Sequence, residues 1–255
     1  MKFYSFKNPI FRTFAVFRYY LVVVICFGYS FNLSAQATLS QKEITAFYTN
    51  QGGSNPLHFL NTSSLGWDQI ILVRHGEPDV KKKGWHTRKE AIEFMRAYDS
   101  VGIRPFPSLP FEPKSIIADT IWHSSIPRAA ATAEVLFGGE RALYPDFQFR
   151  EFERKALRFF NIKLPLKFWT VFSRIGWFMG GNDKGIESFK EAKKRAKQNA
   201  GWLAQKSKMK GNVVLVAHGL HNRYVAKYLE KQGWEMVLSN GHDYGSVKIL
   251  VRRSE

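Results

Sequence analysis

Apolar positions along the chain fall into two patterns. "QIILV", Gln69–Val73, and the core of "NVVLVAHG", Asn212–Gly219, are unbroken and rich in β-branched residues. Runs of this kind predict strands buried on both faces, as in a parallel sheet. "IIADTIWHSS", Ile116–Ser125, and "SVKILVRR", Ser246–Arg253, predict two more strands. The second pattern has helical spacing. It covers Arg88–Tyr98, with Ala91, Met95 and Tyr98 in phase, and "RAAATAEVLF", Arg128–Phe137, which starts after a Pro127 that a first helical turn tolerates. It is clearest over Glu187–Leu203. Phe189, Ala192, Ala196, Ala200 and Leu203 share one face there, while Lys193, Lys194 and Lys197 point elsewhere. Leu220–Leu229 follows with Leu220, Tyr224 and Tyr228 in register. "ALYPDFQFREFE", Ala142–Glu153, begins extended, and its Pro145 suggests an edge or a bend. Strands alternating with helices predict an α/β three-layer sandwich, a mostly parallel central sheet with helices on both faces.

The first 66 residues break this pattern. Lys2, Lys7, Arg12 and Arg18 are basic and no acid precedes Glu43; Tyr19–Phe31 is almost wholly apolar; "LSAQA" then places Ala35 and Ala37 at the small-residue positions of a cleavage site. Residues 1–37 are therefore expected to be a signal peptide, leaving a chain that begins at Thr38 and is exported to the periplasm or secreted. The alternative is a membrane anchor formed by an uncleaved segment 19–31, though this is shorter than the roughly 20 apolar residues a spanning helix needs. Residues 38–66, polar and rich in Gly, Asn and Ser with a short helical candidate at Ile44–Tyr48, are expected to be a lead-in. Residues 67–255 are expected to form the main folded domain. Within it, a helical cap is expected over about 154–186, where aromatic and basic residues crowd together in "LRFFNIKLPLKFWTVFSRIGWFMGG".

Charge and cysteine usage narrow the chemistry. The net charge is +17, spread along the chain, and losing four basic residues with the signal leaves +13. Charge favours anionic partners without choosing among phosphorylated small molecules, acidic lipid surfaces touched peripherally and nucleic acid; with export, a phosphorylated small molecule or envelope phosphate is the expected substrate. Nucleic acid is not expected. The single cysteine, Cys26, lies inside the apolar segment. A chain starting at Thr38 has no disulfide, cysteine nucleophile or cysteine metal site. Metal-ligand spacing is absent, and no cofactor is expected.

Two of the predicted strands end alike. "ILVRHG" ends on Arg74 and His75, and "VLVAHG" on His218. Ligands of open α/β sheets bind beyond the carboxyl ends of strands, so one pocket could hold both histidines. "HSSIPRAAATAE" sets Arg128 in the first turn of a helix, where free N–H groups and the positive dipole end suit phosphate. Two arginines can each fork onto two phosphoryl oxygens. His58, His86, His123, His221 and His242 have no such partner spacing and are expected to be surface or packing residues.

"RHGE" after an apolar strand, then "SSIPRAAATAE", "GIESFKEAKKRA" and "VLVAHG" in that order, resemble the motifs of the histidine phosphatase superfamily, its phosphoglycerate-mutase-like branch. The resemblance runs from about Gln69 to the C-terminus and implies that fold. It implies that His75 is the nucleophile, forming a phosphohistidine, and that Arg74, Arg128 and His218 bind the phosphoryl oxygens. It also implies a glutamate acid between the second and third motifs. "FREFERK" offers Glu151, the closer match, and Glu153, which would share a strand face with it; Glu77 is an outside candidate. In an apolar pocket Glu151 would hold a proton near neutral pH. The expected activity is that of an exported phosphomonoesterase of the histidine acid phosphatase type. "RHGEPDVKKKGWHTRKEA" departs from the longer Ser/Trp/Asn-containing stretch of the mutases, which disfavours the alternative of a phosphomutase. A catalytically idle anion-binding envelope protein is the third reading, and the intact Arg74, His75, Arg128 and His218 set argues against it.

Overall fold

The structure is a computed structural model. It describes residues 67–253 apart from 82–83, 107–112, 114–115, 117, 119, 140, 157–161 and 182–183. The expected signal peptide, the anchor alternative 19–31, the lead-in and His58 lie outside the described residues. The chain divides into two compact units, Met1–Phe47 and Tyr48–Glu255, and every described residue belongs to the second.

Six strands form one sheet. They are β1 (Trp67–Arg74), β3 (Thr120–Ser124), β4 (Ala142–Asp146), β6 (Asn212–Ala217), β7 (Glu235–Ser239) and β8 (Val247–Arg253), in the order β4-β3-β6-β1-β8-β7. The pairings β4–β3, β3–β6 and β6–β1 are parallel, whereas β8 runs antiparallel to β1 and β7 antiparallel to β8. Two residues each from β2 (Trp85–His86) and β5 (Leu164–Pro165) pair as a separate small ribbon. The helices are α1 (Arg88–Ser100), α2 (Pro127–Phe137), α3 (Leu166–Phe178), α4 (Phe189–Lys210) and α5 (Gly219–Glu230).

The unbroken apolar runs are buried on both faces because alternate residues feed two cores. Ile70 and Leu72 of β1, with Val213, Leu215 and Ala217 of β6, pack against α4 and α5. Ile71 and Val73, with Val214 and Val216, pack against α2. That is the expected three-layer arrangement. The alanine face of α4 is the reason this helix lies close to the sheet: Ala192, Ala196, Ala200 and Leu203 are all buried. Ser188 caps it through a reciprocal capping box with Glu191. On α5 the expected phase is off by one position. His221, Asn222, Val225, Ala226 and Leu229 are buried, while Leu220, Tyr224 and Tyr228 form a half-buried shoulder.

This topology carries the C-terminal ends of β1, β3 and β6, three neighbouring strands, to one edge of the sheet. Arg74, Ser124 and the residue before His218 therefore arrive side by side.

Candidate active site

His75 follows β1 and His218 follows β6, and their rings meet edge to face with centroids 5.1 Å apart. Arg128, in the first turn of α2, reaches both. Its Nε donates to His75 Nε2 at 3.1 Å, and its Nη2 lies 3.3 Å from His218 Nδ1. Three residues far apart in sequence thus converge, and all three are buried.

The surrounding bonds fix which nitrogen does what. His75 Nδ1 lies 2.7 Å from the Gly76 carbonyl oxygen, so Nδ1 carries the proton and Nε2 keeps its lone pair toward Arg128. Gly76 N–H donates to Thr132 Oγ1, which itself donates to the Arg128 carbonyl, tying the loop after β1 to α2. Arg128 is held on its other edge: Nη1 donates to the Tyr98 carbonyl at 2.9 Å and to Asp99 Oδ1 at 2.7 Å. The Nε and Nη2 edge is therefore the one turned to the histidines. His218 accepts from Arg128 at Nδ1, which leaves Nε2–H to donate to Ser124 Oγ, 2.8 Å away. Burial first, then the Arg128 charge and His75, hold the His218 pKa well below the usual histidine value. His218 is neutral at physiological pH.

Arg74 flanks the cluster. Its Nη1 donates to the His242 carbonyl and its guanidinium lies 4.4 Å from the Tyr244 ring centre, while its buried Nε has no hydrogen-bond partner. Gly219 makes room for it, since a Cβ there would sit 3.1 Å from Arg74 Nε. Tyr244 also packs on His75, at 5.6 Å between centroids, and its hydroxyl meets that of Tyr98 at 3.1 Å.

Glu151 shares a cavity of about 290 Å³ with Arg74, Gly219, Arg223, His242 and Lys248. Its Oε1 accepts from the backbone N–H of Phe152 at 2.9 Å and of His221 at 3.2 Å, the latter in the first turn of α5. A helix N-terminus and the nearby Arg174 therefore face Glu151. Glu153 is not its equivalent. Residues 151–156 form no strand, so the shared strand face expected for the two does not exist. Glu153 Oε2 accepts from Glu187 N, and Oε1 faces Arg150 Nε at 3.9 Å, away from the cavity. Glu77 is half-buried and pairs with Arg104 at 3.8 Å.

Some residues at this site carried no signal in the sequence. Asp99 and Tyr98 orient Arg128, and both fall on what reads as the end of an ordinary amphipathic helix. Arg195 looks like one of several charges on α4. It is buried, forks onto both Glu187 oxygens at 2.8 and 2.7 Å, and donates to the carbonyls of Gln148 and Arg150. It thereby fastens the segment that presents Glu151. Of the histidines expected to be packing or surface residues, His221 is buried against Phe149 and Phe152, and its pKa is brought down to about 3, first by burial and then by Arg195. His123 is buried, with its Nδ1 2.9 Å from the Ser124 carbonyl, and the His86 ring is half-buried. The exposed His242 contributes its carbonyl to Arg74. Among the described residues no group of three or more His, Cys, Asp or Glu is gathered as metal ligands would be.

The family model of the histidine phosphatase superfamily (branch 1) matches residues 70–255. No curated protein matches. Among solved structures, the chain is similar to a phosphoglycerate mutase from Bacillus anthracis, with 16% identity and a TM-score of 0.49 over 74% of this chain and 89% of that one. It is also similar to a mycobacterial glucosyl-3-phosphoglycerate phosphatase, with 18% identity and a TM-score of 0.41 over 72% and 90%. A phosphoserine phosphatase from Entamoeba histolytica, in complex with phosphoserine, has 16% identity and a TM-score of 0.41 over 64% and 80%.

Proposed function

We propose, from the premise that the chain belongs to branch 1 of the histidine phosphatase superfamily, that it hydrolyses phosphomonoesters through a phosphohistidine on His75. The observation that carries this is the tautomer of His75. Its proton is held on Nδ1 by Gly76, and the Nε2 lone pair accepts from Arg128 Nε, on the edge that also carries Nη2. A nucleophile and a two-toothed anion binder thus face each other.

In the first step a phosphoryl group enters between His75 and Arg128 and takes over the Arg128 donors. Arg74 supplies a second guanidinium from the cavity side. The N–P bond forms at Nε2 while the P–O ester bond breaks, and Glu151 hands a proton to the leaving alkoxide. In the second step water attacks phosphorus on the opposite side, Glu151 takes its proton, and the N–P bond breaks to release inorganic phosphate. His218 is neutral and can serve the phosphoryl oxygens only as a donor from Nδ1. Ser124 allows this, because its hydroxyl can donate to Nε2 as readily as accept from it. Catalysis is charge placement throughout: two arginines and two oriented imidazoles around a group whose charge is spread over its oxygens.

Export of the enzyme is part of the same proposal. The basic N-terminus, the apolar Tyr19–Phe31 and the small residues Ala35 and Ala37 support it. Substrates would then be phosphomonoesters outside the cytoplasm, small molecules or envelope groups.

The test uses the protein with a generic aryl phosphate between about pH 5 and 8, without added metal, beside its His75→Ala variant. The wild type is expected to turn over and the variant to lose at least about a hundredfold. Acid quenching during turnover should trap labelled phosphate on the wild type alone. Undiminished turnover by the variant removes the nucleophile assignment, and with it the mechanism.

A further inference from the structure

We propose that the outer face of the cap, α3 with the β2–β5 ribbon, docks on an anionic lipid surface. Helix α3 is apolar on two flanks. Leu166, Trp169, Gly176 and Trp177 are buried inward, along with Ser173. Phe168, Val171, Phe172, Ile175, Phe178 and Met179 recur at spacings of three and four along a second flank. On that second flank Phe168, Val171, Phe178 and Met179 are exposed. A helix with apolar residues around most of its girth needs cover on both sides, and the fold supplies it on one.

The exposed side continues beyond the helix. Trp85, 66% exposed, pairs across the ribbon with Pro165 at the start of α3, and Ile162, also exposed, precedes the ribbon. Six of the ten large apolar side chains exposed among the described residues belong to this one segment and its ribbon partner; Val135, Tyr144, Phe147 and Met209 lie elsewhere on separate elements. The inner flank is pinned at both ends. Trp169 Nε1 donates to the His86 carbonyl at 2.7 Å and Trp177 Nε1 to the Glu187 carbonyl at 2.6 Å. The exposed flank is therefore a fixed feature of the fold, since α3 cannot roll over to bury it.

Charge selects the occupant. No acid lies between Glu153 and Asp183, while Arg154, Lys155, Arg158, Lys163, Lys167 and Arg174 all do, and "KKKGW" leads straight into Trp85. Lys163 and Lys167 are exposed beside the apolar stripe. Glu90 of α1 stands near Lys163, but the cap stretch itself carries no acid, and an apolar stripe with an exposed tryptophan and flanking lysines fits a bilayer interface with anionic headgroups. A second copy of the chain would bring the same positive rim against itself. Among the described residues no helix is long and apolar enough to cross a membrane, so α3 would lie in the interface plane.

The test is sedimentation of the full chain with vesicles of phosphatidylcholine alone, or with about one-third phosphatidylglycerol. Two variants run beside it: one with Phe168→Ser, Val171→Ser and Phe178→Ser together, and one with Lys163→Glu and Lys167→Glu. Binding is expected on the anionic vesicles, falling at least about tenfold for each variant. All five substitutions are at exposed positions, and circular dichroism melting verifies the fold; should the serine variant melt early, the glutamate variant decides alone. Equal binding to neutral vesicles, or binding unchanged in the variants, overturns the proposal and assigns the affinity to the apolar segment Tyr19–Phe31. A wild-type dimer that the serine substitutions turn into monomers, with no vesicle binding, also overturns it, in favour of a second copy.

Discussion

Two carboxylates two residues apart illustrate what local reading resolves and where it stops. Glu151 and Glu153 differ in partner. One caps the first turn of α5 and borders the cavity with Arg74, and the other braces the start of α4. The choice rests on where Arg195 and Asn199 clamp the chain at Gln148 and Arg150, contacts more than forty residues distant. Strand-end residues such as His75 and His218 were legible because a strand's end is a fixed place. Asp99, Ser124 and Arg195 were not, because each acts through a partner brought close only by folding. The proposed acid role of Glu151 predicts a dependence on leaving group. Glu151→Gln keeps an oxygen to accept from His221 N–H, so stability should change by less than about 1 kcal/mol. An alkyl phosphate, whose alkoxide needs a proton, should be hydrolysed at least about a hundredfold more slowly. An aryl phosphate with a stable phenolate should lose much less. Equal losses on both esters would show that Glu151 positions Arg74 or α5 and supplies no proton.

At the scale of elements, burial pattern decided what could be read. The strands buried on both faces and the alanine-faced α4 stand out because nearly every residue answers to one period. β7 and the β2–β5 ribbon were missed. Glu235–Ser239 is an edge strand only partly buried and with a register shift at Met236/Leu238, so its apolar residues show no clean alternation. Trp85–His86 and Leu164–Pro165 are too short to have a period. The run Ile116–Ser125 reads as one strand, yet the strand proper begins at Thr120. α4 extends to Lys210, beyond the Leu203 where its apolar face was last legible, and stops at Gly211, whose φ of 75° suits a residue without Cβ. The order of strands was hidden as well, though it is what matters most for the site. Placing β6 between β1 and β3 brings His218 against both His75 and Ser124.

For the whole molecule, the candidate active site and the hydrophobic core share a liability. His218 sits in the buried cluster facing Arg128, His75 and Arg74, and His221 sits one turn along α5 facing Arg195 and Arg150. Both are fully buried and both are held neutral, chiefly by burial and secondarily by those charges. The folded pKa of each therefore lies below its unfolded value of about 6.5, for His221 at about 3. Above pH 6.5 neither state takes up the proton, and these groups leave stability unchanged. As pH falls below that value the unfolded chain binds two protons that the folded chain refuses, so stability must fall. Each histidine contributes about 1.4 kcal/mol per pH unit, and the pair about 4 kcal/mol between pH 7 and pH 5, a large share of a typical domain's 5–15 kcal/mol. Urea unfolding at the two pH values measures this directly. The midpoint should drop steeply, and His221→Gln should roughly halve the slope between them. A midpoint that is flat over this range would mean that the histidines are protonated in place, and that His218 would meet the phosphoryl oxygens as an imidazolium. If the slope is as expected, loss of folded protein contributes to any fall of activity in the acid range. The pH–rate profile should then be compared with the fraction folded at each pH before any limb of it is assigned to a catalytic group.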